Sequence, residues 1–157
     1  MNIRKVISDI IKEIKERLPL KAEKSIALYS EDSPSGKFIC KECKFFIPFE
    51  KMTDEQKKKV GKKSGYGMCT IVGDEKSQEI SGEKGSCMYY VAGEPATGEK
   101  ENEYKVSKEL SLYQESDEGF GCKRCVRFKG DGKPCTFLKE NVKSGGCCTA
   151  WLNPKVS

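Results

Sequence analysis

The 157-residue chain contains no histidine. That removes the mixed Cys/His zinc sites, the two-histidine form of iron–sulfur ligation and the commonest general base of enzyme catalysis. Arginine is scarce too. Arg4, Arg17, Arg124 and Arg127 are the full set, so nearly all the positive charge behind the net +5 is lysine. Readers of nucleic acid rely on arginine forks for base edges and phosphates, and no nucleic-acid partner is expected from so few. Long apolar runs are missing as well, and nothing approaches the roughly 20 residues of a membrane span. The opening "MNIRKVISDIIKEIKERL" mixes acids and bases without the unbroken apolar stretch of a signal peptide, which predicts a cytoplasmic chain. Apolar residues make up only 36% of the sequence and charged residues 34%. Something besides apolar burial is therefore needed to hold the chain together.

Cysteine is what the chain has in quantity, nine in all. In a reducing compartment clustered cysteines more often bind metal than form structural disulfides, and an odd number fits a fully paired framework poorly. The cysteines fall into two similar sets. "KSIALYSED" from Lys24 matches "KELSLYQES" from Lys108 at an offset of 84. "CKECKFF" matches "CKRCVRF" at 82, "CTIV" matches "CTFL" at 66, and "KGSCMYY" matches "GGCCTAW" at 61. Four matches in the same order, with a shrinking offset, read as a tandem duplication whose second copy has shorter loops. The first unit covers residues 20–91 and the second residues 106–157. Between them, "AGEPATGEKENEYK" (92–105) is polar, with one proline and two glycines, and reads as a linker. Ahead of both, Ile3, Val6, Ile7, Ile10, Ile11, Ile14 and Leu18 recur at helical spacing until Pro19, predicting an amphipathic helix over residues 1–19.

Each unit supplies a Cys-x-x-Cys pair and two lone cysteines. Tetrahedral zinc in a ribbon usually takes two close pairs. Here 17 residues separate Cys69 from Cys87 and 12 separate Cys135 from Cys148. Such spacing suits a cubane, whose corners can be approached from different chain directions, better than it suits zinc or disulfides. The lysine run "QKKKVGKK" from Gln56 reads as solvated surface in the long first-unit loop. Phe45, Phe46, Phe49, Phe120, Phe128 and Phe137 read as core and as the shell of any centre at once.

These motifs resemble the high-potential iron–sulfur proteins. Their pattern is Cys-x-x-Cys-x-x-Phe/Tyr, then Gly-x-Cys followed by apolar residues, then Lys-Gly-x-Cys-x-x-Trp. The likeness covers about residues 20–91 and 104–152, on "CKECKFF…GMCTIV…EKGSCMYY" and "CKRCVRF…PCTFL…SGGCCTAW". It implies a small, irregular, metal-cluster-centred fold: two tandem units with short helices and short strands, plus the N-terminal helix. It implies a 4Fe–4S cluster on Cys40, Cys43, Cys69 and Cys87, and a second on Cys122, Cys125, Cys135 and Cys148. Tyr29 and Tyr113 would match the family's packing tyrosine, and Tyr90 and Trp151 its closing aromatic. Cys147 is left over and reads as a small buried filler. The chain departs from the family in being doubled, in its expected cytoplasmic location, and in loops of 25 and 9 residues between second and third cysteines. The expectation is an electron carrier without enzymatic activity of its own, working with a redox protein or enzyme partner. Eight thiolates and two 2+ cores would bring the net charge of +5 to about +1. The rival expectation is an accessory or regulatory subunit, because small proteins of similar cysteine pattern accompany some glycyl-radical enzymes. The isoleucine helix would then be the docking element, or a site of self-association.

Overall fold

Cysteine, glycine and turn signals interrupt every candidate run, and the regular elements are correspondingly brief. The structure, a computed structural model, describes residues 2–17, 21–33, 35–61, 64–115 and 121–150, without the side chains of residues 11–17. Helix α1 (Ile3–Arg17) follows the isoleucine period, and Leu18 and Pro19 lie outside the described residues. Ile3, Val6, Ile7 and Ile10 are all exposed on it.

In the first unit, β1 (Phe46–Pro48), β2 (Tyr66–Cys69) and β3 (Ile80–Ser81) form an antiparallel sheet in that order. Phe46 lies opposite Cys69 and Ile47 opposite Met68. The long loop between β1 and β2 carries α2 (Asp54–Lys59), opened by a capping box in which Thr53 and Gln56 satisfy each other's backbone N–H. Lys58 and Lys59 of the lysine run are exposed, whereas Val60 is buried. In the second unit, β4 (Gln114–Glu115) pairs with β7 (Gly146–Cys147), and β5 (Lys133–Pro134) pairs with β6 (Asn141–Val142).

The sequence repeat is also a repeat of hydrogen bonds. A turn at 24–28 recurs at 108–112, closed by Tyr29 N–H to Lys24 O (2.9 Å) and Tyr113 N–H to Lys108 O (3.0 Å). Leu28 and Leu112 both adopt positive φ there, +53° and +56°. Ala22 pairs with Val72 as Val106 pairs with Leu138, both in parallel bridges. An acceptor side chain caps each turn, Asp74 for Lys24 N–H and Glu140 for Lys108 N–H, each at 2.9 Å. The second copy builds the same frame with fewer residues.

The two units share one core. Phe45, Phe46, Ile71, Val72 and Tyr89 of the first pack in a single buried cluster with Val106, Phe137, Leu138 and Val142 of the second. Side chains of this size stabilise by about 1.5–3 kcal/mol each when buried, so the junction matters as much as either unit. The segment expected as a linker takes part in the packing. Ala96 is fully buried with Ile47, Met52, Val60 and Met68, and Glu101 pairs with Lys21 at 2.6 Å. Gln56 Nε2 donates to Gly98 O at 3.0 Å. Its polar composition concealed this, because the polar residues find partners on the first unit.

From the repeat alone, two separable pieces would be expected after cleavage between them. The shared core leads to another outcome. Proteolysis at Lys100, exposed between Gly98 and Glu103, should give two fragments that co-elute in size-exclusion chromatography and part only in denaturant. Two fragments that elute apart and stay folded would contradict a common core.

Candidate metal centres

Cys40 opens a 3-10 turn (Cys40–Glu42) closed by Cys43 N–H to Cys40 O at 2.9 Å. One tight turn thus presents both thiols of the pair. Cys69 ends β2, and Cys87 arrives on a segment held by Ser86 N–H to Ser30 O and Met88 N–H to Ala27 O. Cys40 N–H donates to Gly85 O at 2.8 Å, tying the pair to the segment of the fourth cysteine. In the second unit Cys122 opens the matching turn (Cys122–Arg124), closed by Cys125 N–H to Cys122 O at 2.8 Å. Cys122, Cys125, Cys135 and Cys148 converge with Arg127, Phe128 and Leu138 on one small cavity. Cys147 is outside that lining. It sits half-buried in the β4–β7 ladder, opposite Gln114. In the first unit Cys43 and Cys69 are buried in the core, with Cys40 and Cys87 partly buried against it.

Burial dominates the electrostatics of these thiols. It pushes Cys69 and Cys148 up to about 11 and Cys87 and Cys122 up to about 12 from an ordinary value of 9.0, and Cys40 higher still. The next contribution to Cys40 is repulsion from Cys69, Cys87 and Cys43, and Cys122 meets the same from Cys148, Cys125 and Cys135. The opposing pull comes from backbone N–H groups. Those of Phe137 and Leu138 donate to Cys135 Sγ at 3.4 and 3.2 Å, and those of Ile71 and Val72 donate likewise to Cys69. Tyr89 and Ala150 serve Cys87 and Cys148 in the same way. These donors orient the sulfurs and favour thiolate. At Cys69, Cys87 and Cys148 burial outweighs them, and a positive group placed among these thiols would favour their ionised form.

The donor set therefore fits a thiolate-bound metal centre in each unit. Two hydroxyls point the same way. Thr70 Oγ1 and Thr136 Oγ1, each directly after the third cysteine of its unit, are buried without a hydrogen-bond partner. Among the described residues no three Cys, Asp or Glu side chains are grouped closely enough to hold one metal ion.

The tyrosines expected over the centres are placed alike. Tyr29 Oη accepts from Ser81 N–H at 2.8 Å, and Tyr113 Oη from Lys143 N–H at 3.0 Å. Each ring lies against a glycine that leaves it room. A Cβ on Gly85 would come within 3.0 Å of Tyr29, and one on Gly146 within 2.1 Å of Tyr113. Tyr90 is half-buried and meets Phe38 edge-on, ring centroids 5.4 Å apart. Trp151 and Phe120 lie outside the described residues.

Two residues of the site escaped the reading of the sequence. Tyr89, 0% exposed, lies between the units. Its hydroxyl is 2.6 Å from Thr149 Oγ1, its ring meets Phe137 edge-on, and Cys87 and Cys148, one thiol from each quartet, both bear on its ionisation. Arg127 is buried beside the second quartet. The available signal was disagreement between the copies: Tyr89 aligns with Ala150 and Arg127 with Phe45. No family model matches the chain, and no curated protein or solved structure matches it either.

The raised thiols have a consequence in alkali. A thiol whose folded value exceeds its unfolded value stabilises the fold fully at low pH, and that stabilisation drains away as pH rises from the unfolded value through the folded one. For Cys69, Cys87, Cys122 and Cys148 this window runs from about 9 to about 12. Urea midpoints of the metal-free chain should fall steadily across it, and metal loading should release protons and flatten the slope. A flat profile for the metal-free chain would contradict the burial described.

Proposed function

We propose that the protein is a carrier of single electrons that holds two 4Fe–4S clusters, one on Cys40, Cys43, Cys69 and Cys87, the other on Cys122, Cys125, Cys135 and Cys148. The observation that carries this reading is the recurrence of one arrangement. Twice, a 3-10 turn, a cysteine receiving N–H bonds from the second and third residues after it, and a cysteine beside a tyrosine-packed glycine bring four thiols together. The resemblance to high-potential iron–sulfur proteins points to the same centre.

When bound, each cluster supplies a one-electron couple. The chain does the rest. Its eight thiolates would hold the metal, and the N–H groups two residues beyond each lone cysteine, joined by those three residues beyond Cys69 and Cys135, fix the sulfurs and lower the charge on them. Phe45, Phe46, Phe128 and Phe137 with Tyr29 and Tyr113 keep water from the sulfurs. Four cysteine ligands leave no open metal position, and no histidine is present to activate a nucleophile. Electron transfer follows from what the site retains, and catalysis by this chain alone does not. A reducing compartment, the cytoplasm, suits such thiols.

One observation favours a second reading, the accessory subunit. Ile3, at 70% exposed, with Val6, Ile7 and Ile10 forms an uncovered stripe on α1, suited to a partner enzyme or a second copy. Retention of a native enzyme partner only by chains with an intact α1 would support it, and gel filtration of the isolated chain separates a partner from self-association.

Anaerobically prepared protein should contain about eight irons and eight sulfides per chain. Cys148→Ser should roughly halve both, while Cys147→Ser leaves them nearly unchanged. A colourless protein with two zinc ions would refute the proposal.

A further inference from the structure

The two copies differ in charge at one buried position beside the thiols. Two residues after the second cysteine of each pair, the first unit has Phe45 and the second Arg127, 2% and 4% exposed. Arg127 lines the cavity with the four thiols of its unit. Its Nη1 donates to Ala150 O at 2.5 Å and its Nη2 to Lys21 O at 2.6 Å, and its Cζ lies 5.6 Å from the Phe137 ring centroid. The guanidinium is thus pinned by a carbonyl from each unit, and it keeps its charge at any ordinary pH.

Other cations near the centres discriminate less. Lys21 and Lys105 occupy matched positions, one near the start of each repeat, and Lys21 is paired with Glu101 at 2.6 Å. Lys44 Nζ is 5.1 Å from the Phe45 ring centroid, but that side chain is only partly buried and water screens it. A charge in the interior acts through a much lower dielectric.

Resting on the cluster assignment above, we infer that Arg127 makes the second centre the stronger electron acceptor, so that the two sites are ordered in potential. Reduction adds one negative charge to a centre. A fixed cation beside it stabilises the reduced form over the oxidised form and raises the potential, and no proton need move. Phe45 offers the first centre no such charge. In a doubled protein whose ligands are otherwise alike, this single exchange gives the pair a direction.

The test is an anaerobic redox titration of the full, iron-loaded chain with dithionite and mediators. The wild type should show two one-electron waves. Cys148→Ser should remove or displace the upper wave and leave the lower. Arg127→Gln should lower the upper wave by at least about 59 mV, a tenfold loss in the equilibrium for accepting an electron, and shift the lower wave by less than half as much. Arg127→Lys should keep most of the upper potential although its fork is lost. If Cys148→Ser affects the lower wave, or loaded Arg127→Gln leaves the upper wave in place, the inference is wrong while the clusters stand. The Cys148→Ser assignment decides the order even if Arg127→Gln does not load. Wild-type protein without iron would overturn the cluster reading itself.

Discussion

Four sulfur atoms crowded into a pocket from which water is excluded oppose ionisation twice, by desolvation and by mutual repulsion. The rest of the molecule is arranged around that constraint. The 3-10 turns set two thiols side by side, the lone cysteines come in on separate segments, and backbone N–H groups face the sulfurs. The rings that hold the core also dry the pocket, so the protein cannot stabilise itself without making its thiols harder to ionise. A positive metal core between them, as proposed, would resolve the conflict. A chain with 36% apolar residues would gain from such an internal tie what a larger core otherwise provides.

Local chemistry made much of this legible in the sequence. The Cys-x-x-Cys turns, the duplicated "LY" segments and the isoleucine period of α1 are short-range signals, and the structure has a 3-10 turn, a positive-φ turn and a helix at those places. Of the adjacent pair, Cys148 and not Cys147 lines the cavity of the second unit. Less visible was what depends on contacts between the units. Residues 92–105 look like a tether because Glu101 and Gly98 are polar or small, yet their partners, Lys21 and Gln56, lie 80 and 42 positions away. Tyr89 looked like a neighbour of the expected Tyr90, whereas its place is decided by Thr149 and Phe137 of the other unit.

Duplication explains why the exceptions are informative. Two copies of a turn and a cap are made by the same local rules, and the bonds that close and cap the turns recur. Where the copies meet, one surface must fit another that is not its own image. Tyr89, where the second copy has Ala150, reaches Thr149 and Phe137, and Arg127 bridges to Lys21 from the position that Phe45 fills in the first unit. Those departures from the repeat serve the junction.

The contact between Tyr89 and Thr149 spans 60 residues of chain, and that separation has a meaning in time. A ribosome adding roughly 5–20 residues per second needs about 3–12 s to make the intervening stretch. Until then all four cysteines of the first unit are made, but Tyr89 lacks the partner that the second unit supplies. A nascent chain thus passes through an interval in which one set of thiols is complete and the junction at Tyr89 is still open. The second set becomes complete only at Cys148, one residue before the hydroxyl that closes the junction.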